Sequence, residues 1–577
     1  MATATGTATA RPTGKATRRT ARRARAHRTR PDTMTRANDL RRRPTSPVSP
    51  VTAGPAGTAV TPVRGVCMAV LSLAAALAHA PSAAQDAGTG AEGSRKGLAF
   101  TPRVSVSETW SDNLALSPDN SRDRGFITTV SPGLTISSGS GMIRGTFDYT
   151  LDGIVYTKSD RDARLQNQLS TRLTAELVQS ALFVDVTGNI SQQSISAFGQ
   201  QSPDGSLDSP NRTETRTLQV SPYWRGRLGS FAGFELRATG EMRDASEGGT
   251  GATSGSGNSK QGALSLNLFG PVGRQLNWGL SGSTTRMHFE QTGIDYRTTS
   301  VLASLNWAPD IDWGVGLTGG RERSDYFGPE TTSVYGANLR WSPGPRTKLS
   351  ADWQHHSYGA SHNLTFEHRM AQFSVRANSS QSVSSGETPT QATNYQLLDL
   401  QFGSVEPDPV KRDAFVRGLL AALGLDPNSF SGAGFLSNTA TLQRRTDLSM
   451  IWAGQRMTLT LSGNDNNSRR LINSALGVGS GDLALTDRVR QRGATLSVGY
   501  RLTPLANANV SYSRQNSRGD GGFGGNDMRT LTANATYRLG PRTDAAFGLR
   551  QTKFDDTSLF ASSYQEHAIY ASLTQRF

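Results

Sequence analysis

Cysteine is almost missing: Cys67 is the one thiol in 577 residues, so neither an intrachain disulfide nor a cysteine-rich metal site can form. Histidine is scarce too, with 8 in the chain. His355, His356 and His362 lie close together, but no convincing set of carboxylate ligands accompanies them, so they read as a polar rim. No metal and no cofactor is expected. No apolar run is long enough for a membrane helix; the clearest, Val66 to Ala78, is about 13 residues where roughly 20 are needed. Enzyme signatures are equally thin. No serine sits in a nucleophile-elbow context, and Gly521-Gly522-Phe523-Gly524-Gly525 lacks the lysine of a phosphate loop.

Charge of one sign is missing from most of the chain. The net charge is +15, yet residues 1–84 hold 14 Lys and Arg against two acids, leaving 47 basic and 44 acidic groups in the remainder. That balance argues against a broad phosphate-binding surface, and no nucleic acid partner is expected. The basic excess belongs to residues 1–65, a low-complexity leader. A translation start at Met34 or an overextended gene model explains it; a nucleic-acid- or membrane-binding tail is the alternative. Residues 66–84 have the apolar stretch and small residues of a signal peptide, with cleavage after Ala84 preferred over Ala80 because Pro81 would follow the earlier cut. Residues 85–97 read as a short linker. Export from the cytoplasm and a place in the bacterial outer membrane follow from this reading.

What is present is alternation. Ile143, Phe147, Tyr149, Leu151 and Val155 fall on one phase, with Arg144, Thr146, Asp148, Thr150 and Asp152 on the other, as in a strand with one apolar and one polar side. Leu165 to Leu177, Leu182 to Ile190, Leu264 to Leu268, Tyr335 to Trp341 and Leu496 to Leu502 repeat the pattern. Several segments reach the 9–11 residues that cross a bilayer when tilted. Short turns such as Gly139 to Gly141 and Leu539-Gly540-Pro541 contrast with long polar connections at 198–212, 243–260, 378–392 and 515–527. This asymmetry predicts an all-β fold: a transmembrane antiparallel outer-membrane β-barrel over 98–577, with about 18–22 strands. Residues 410–425 are the exception. Phe415, Val416, Leu419, Leu420, Leu423 and Leu425 have helical spacing between Pro409 and Pro427, which suggests a short plug or loop helix or a partner-contact element.

In such a barrel Arg144, Arg172, Arg225, Arg237, Arg340, Arg376, Arg501, Arg538 and Arg550 are candidate lumen-facing residues, together with Asp148 and Glu176. They would either contact a passing substrate or lace a hydrated wall with ion pairs. Trp110, Trp224, Trp278, Trp307, Trp313, Trp341 and Trp353 fit interfacial belts better than a sugar platform. At the carboxyl end Ile569, Ala571, Leu573 and Phe577 share one phase. Phe577 is therefore a candidate assembly signal, resembling the terminal-strand signal read by the barrel-assembly machinery; Gln575 departs from the hydrophobic residue usual there.

The ordered set Thr101-Pro102, Thr109-Trp110-Ser111-Asp112-Asn113, Ser131-Pro132-Gly133, Asp148-Tyr149 with Leu151, Phe183-Val184-Asp185, Ser191-Gln192-Gln193 and Phe435-Leu436 leading to Gln443-Arg444-Arg445 resembles the outer-membrane proteins of PEP-CTERM/exosortase and exopolysaccharide systems. The resemblance spans about 98–577. It implies a barrel beside polysaccharide-export or surface-sorting components, and it assigns no catalytic residue. The expected partners are outer-membrane lipids, the assembly machinery and such components. The leading expectation is a porin-like conduit supporting exopolysaccharide or envelope export. A non-conducting assembly scaffold is the alternative, with an outer-membrane hydrolase a third reading.

Overall fold

The computed structural model describes residues 98–577 except 158–160, 246–256, 273–274, 385–391, 394, 396–415, 417–429, 432–433, 472–480, 522–523 and 558–560. The leader, the signal-type segment, residues 85–97 and the candidate helix 410–425 lie outside the described residues, apart from Val416, which is helical and fully buried.

The strands are long and follow one another by hairpins. The first eight are β1 (Leu98–Ser111), β2 (Gly125–Ser138), β3 (Ile143–Thr157), β4 (Arg164–Val178), β5 (Leu182–Ser194), β6 (Arg212–Leu228), β7 (Ala232–Ala245) and β8 (Ser259–Val272). Next come β9 (Leu276–Phe289), β10 (Ile294–Trp307), β11 (Trp313–Ser324), β12 (Glu330–Gly344), β13 (Thr347–His356), β14 (Gly359–Arg369) and β15 (Phe373–Ser384). A small separate ladder joins β16 (Ala392–Thr393) to β17 (Phe430–Ser431). The wall resumes with β18 (Thr441–Ala453), β19 (Met457–Arg470), β20 (Arg488–Arg501), β21 (Ala506–Gly519), β22 (Gly525–Gly540), β23 (Thr543–Asp556) and β24 (Tyr564–Arg576). These wall strands form one 22-stranded antiparallel sheet. β1 pairs with β24 from Arg103↔Arg576 to Ser111↔Ala568, so the sheet closes on itself and leaves no edge to recruit another chain.

Period-two patterning determines which side faces where. On the outer phase Leu280, Val301, Leu305, Leu317, Leu461, Leu496, Leu531, Phe547, Leu549 and Leu573 are exposed, Leu317 at 70%. Such a continuous apolar exterior is incompatible with water and fits hydrocarbon, and closing the sheet satisfies every ladder hydrogen bond within the wall. The barrel is of the outer-membrane type.

Trp224, Trp278, Trp307, Trp313 and Trp341 gather near the rim with short turns, where Trp307 meets Trp313 edge to face at 5.3 Å and Trp313 pairs with Trp341. That row is an interfacial girdle. Trp110 lies apart, opposite Ile569 near the other rim, and Trp353 pairs with Ala337 farther along the wall.

The loop boundaries differ from those expected. β21 runs to Gly519 and β22 starts at Gly525, so 515–527 is mostly strand, with Asn516 paired to Asp527. β15 likewise continues to Ser384, β7 to Ala245, and β8 begins at Ser259. Beyond the apolar band both faces of a strand meet water, so polarity there no longer marks a loop.

Candidate functional site: a loop held inside a polar lumen

The largest concentration of buried side chains lies within the barrel. Beyond Asp152 the inward phase of β3 turns apolar, and Ile154 and Tyr156 cluster with Ile127, Met528, Phe554 and Tyr564 from neighbouring strands. The residues packed among them come from connections at the long-loop rim: Leu114 and Leu116 from 112–124, and Leu207 from 195–211, all with no exposed surface. In a second cluster Ala197 and Phe198 pack with Phe435, Leu483 and Val489. The segment 195–211, most of it the long polar connection expected at 198–212, therefore folds inward.

Hydrogen bonds fasten this segment on several sides. Tyr564 Oη donates to Gln201 O at 2.6 Å, Asn526 Nδ2 to Ala197 O at 2.9 Å, and Tyr156 Oη to Ser206 O at 2.7 Å. Gln166 Nε2 reaches Gly205 O at 3.2 Å, and Arg161 pairs with Asp208. A Cβ at Gly199 would lie 2.4 Å from the Asn211 side chain, so any larger residue there would displace that amide. Asn211 in turn donates to Ser196 O at 2.9 Å, which folds the loop on itself.

Two carboxylates fix the loop, one at its middle and one at its start. Arg550 places one guanidinium nitrogen 2.5 Å from Asp204 and another 2.9 Å from Glu566, a wall residue with no exposed surface that also accepts Ser111 Oγ–H at 3.1 Å. Burial alone would raise the Asp204 carboxyl, but the Arg550 charge and the Ser206 donors outweigh it and hold the group below its ordinary value. Asp482, on the helical turn Asp482–Leu485, accepts Ser196 Oγ–H at 2.6 Å and Ala197 N–H at 2.5 Å. Among the described residues no cation pairs with it, so burial dominates and pushes its carboxyl up to about 6.

Toward the short-turn rim the lumen is polar. Arg103 forks onto Asp148 at 2.8 and 3.1 Å and also reaches Thr135 and Thr150. Arg144 pairs with Glu176 at 2.6 Å and Arg376 with Glu367 at 3.1 Å. Arg538 stands 3.8 Å from Asp544, and Arg172 is exposed but engaged. Arg237 binds Asp185 at 2.8 Å and lies 3.9 Å over the Tyr223 ring, which stacks on Phe183 at 5.0 Å; Arg225 covers Phe183 at 4.2 Å. Arg340 and Arg501 are exposed and make no ion pair. The eleven candidate charges thus share the inward phase but not one site: Arg550 anchors the loop, while the others are spread around the wall.

The three histidines diverge. His355 stacks on Tyr335 at 5.1 Å on the outer phase, His356 binds Glu322 at 2.8 Å, and His362 bonds to Ser379 at 3.0 Å. Among the described residues no group of three or more His, Cys, Asp or Glu side chains is placed to hold a metal ion. Phe577 donates its backbone N–H to Pro102 O at 3.0 Å, extending the closing seam by one bond.

No protein-family profile matches the chain, and no curated protein matches it. Solved structures do. The FrpB iron transporter from Neisseria meningitidis (F5-1 variant) aligns over 83% of this chain and 82% of its own, at 10% identity and a TM-score of 0.43. The siderophore receptor PirA from Pseudomonas aeruginosa aligns over 84% and 81%, at 10% identity and 0.40. Pseudomonas aeruginosa OprD aligns over 83% and 95%, at 9% identity and 0.29.

Proposed function

We propose that this protein is a constricted outer-membrane conduit for a hydrated polar solute, with residues 195–211 as the constriction. The observation that carries this reading is the division of the lumen: a polar, accessible half at the short-turn rim, and a half at the other rim where a loop is tied to the wall. A barrel of 22 strands is wide enough to need such an obstruction if the membrane is to stay sealed. In this reading the short-turn rim is periplasmic, and the chain arrives there after export on its signal segment and insertion by the assembly machinery through the terminal strand at Phe577.

The solute class we assign is extracellular polysaccharide, following the resemblance of residues 98–577 to exosortase-associated barrels. A lumen wall of Thr, Ser, Asn and paired charges offers many weak hydrogen bonds and no deep trap, which suits passage better than retention. No chemical step is required of any residue.

Single-channel conductance in planar bilayers tests the reading. The folded protein should conduct weakly, and Arg144→Glu and Arg340→Glu should each move selectivity toward cations. Loosening the loop with Asn526→Ala and Tyr564→Phe together should raise conductance several-fold. A correctly folded barrel that stays silent even after the loop is loosened would return the weight to a non-conducting scaffold.

A further inference from the structure

The outer wall carries a feature that transport does not use. Arg286 of β9 and Arg297 of β10 are direct cross-strand partners, both exposed, and neither makes an ion pair. Arg321 and Arg323 of β11 share this outer face, again exposed and unpaired. Like charges placed opposite each other across a ladder repel. Elsewhere on the same face several arginines have acids: Arg490 has Asp465, and Arg514 and Arg529 flank Asp527. Here the nearby acids are engaged, Asp295 with His288 at 2.9 Å, Glu290 with Lys260 at 2.7 Å, and Asp325 with the Arg297 backbone N–H at 2.7 Å.

The height of these arginines is set by the girdle. Arg297 lies ten positions along β10 from Trp307, about 24 Å up the barrel axis for a strand tilted near 45°, close to the thickness of the apolar band. Alongside the arginines, on the rung that joins Gly240, Gly262, Arg286 and Arg297, is a groove of about 560 Å³ lined by Leu218, Val220, Met242, Lys260, Arg286, His288 and Asp295. Its floor is bare because Gly240 and Gly262, paired across the ladder, carry no side chain, and a Cβ at either would meet nothing within 4 Å.

We propose that this face binds a phosphate-bearing lipid of the outer leaflet, its phosphate between Arg286 and Arg297 and an acyl chain in the glycine-floored groove. An apolar trough adjoining guanidinium groups that make no ion pair matches the two ends of an anionic amphiphile, and neither a soluble anion nor a neutral lipid uses both.

The test is retention of lipid A by the full-length protein in neutral detergent, read by native mass spectrometry and by the shift in unfolding temperature. Wild type should retain lipid A and be stabilised by it. Arg286→Gln with Arg297→Gln should weaken retention about thirty-fold, since each basic group near a phosphate surface contributes on the order of 1 kcal/mol. Gly262→Leu, which fills the groove and leaves the arginines in place, should weaken it as well. Equal retention by wild type and both variants would overturn the proposal. So would an equal temperature shift with inorganic phosphate, which would identify a site for soluble anions. The lumen-facing variant Arg340→Gln, which alters conductance and not this face, should retain lipid normally, so failure of the conduit reading and failure of this one are separable.

Discussion

Arg550 shows what a single residue decides inside the lumen. It is 8% exposed and neutralises Asp204 on the loop and Glu566 on the wall, so its removal strands two buried carboxylates. Arg550→Gln should cost roughly 3–5 kcal/mol, read as a lower denaturant midpoint, whereas Arg340→Gln on the open wall should change stability by less than about 0.5 kcal/mol. Asp482 acts in the opposite sense. With its folded pKa up at about 6 against an ordinary 3.8, the folded chain holds a proton between pH 4 and 6 that the unfolded chain has released. Stability therefore falls as pH rises through that window, and the full penalty, up to about 3 kcal/mol, is in place at pH 7. Acidification from pH 7 to 5 should raise stability and slow proteolysis within 195–211 by removing the buried charge, although a protonated carboxyl accepts the Ser196 and Ala197 hydrogen bonds less strongly. Asp482→Asn should abolish that pH dependence. The Asp204 carboxyl, held low, gives up its contribution only below about pH 4.

At the level of the element, the decisive property of each strand is that its two faces live in different solvents. Leu317 is 70% exposed, and in a water-soluble protein a polar residue there would be harmless. On a lipid-facing strand Leu317→Arg should instead cost about 2–4 kcal/mol near the midplane, while Thr318→Arg, one position on and facing the lumen, should be tolerated. Folding yields into lipid vesicles measure the contrast. This alternation was legible without coordinates, because a period of two separates the faces wherever the apolar band runs. It stopped being legible beyond the band: the polar stretch 515–527 resembles a loop in composition, yet 515–519 and 525–527 are strand. The inward turn of 195–211 had a faint signal in Phe198 and Leu207, apolar residues with no place in a solvated loop, and in Ile154 and Tyr156 on a phase that should be polar.

For the whole molecule, closure is the property to test. Ser107 of β1 and Ser572 of β24 are register partners across the seam, more than 460 residues apart in sequence. The substitutions Ser107→Cys and Ser572→Cys should form a disulfide rapidly in the folded barrel and give a faster-migrating covalent loop on unfolding, since paired backbones lie within bridging distance. Failure of that bond in protein that is otherwise heat-modifiable would mean that the first and last strands are not neighbours.

Several of the short motifs singled out in the sequence meet around the loop. Ser111 bonds to Glu566, Asn113 to Ser117 O and Gln565 O, and Phe435 packs near Phe198, while Gln443 bonds to Asn466. Nothing in their spacing announces this, because the residues are brought together by strand pairings hundreds of positions apart. What the sequence determined by itself is local and periodic: strand content, the apolar and polar phases, the aromatic girdle, the short turns and the strand number to within a few. Those follow from one-dimensional patterns that each strand satisfies almost alone. The inward fold of 195–211, the flanking of Arg550 by Asp204 and Glu566, and the bare groove beside Arg286 and Arg297 were decided by tertiary structure. They depend on which side chains meet after the sheet has closed, and period and composition do not encode such meetings.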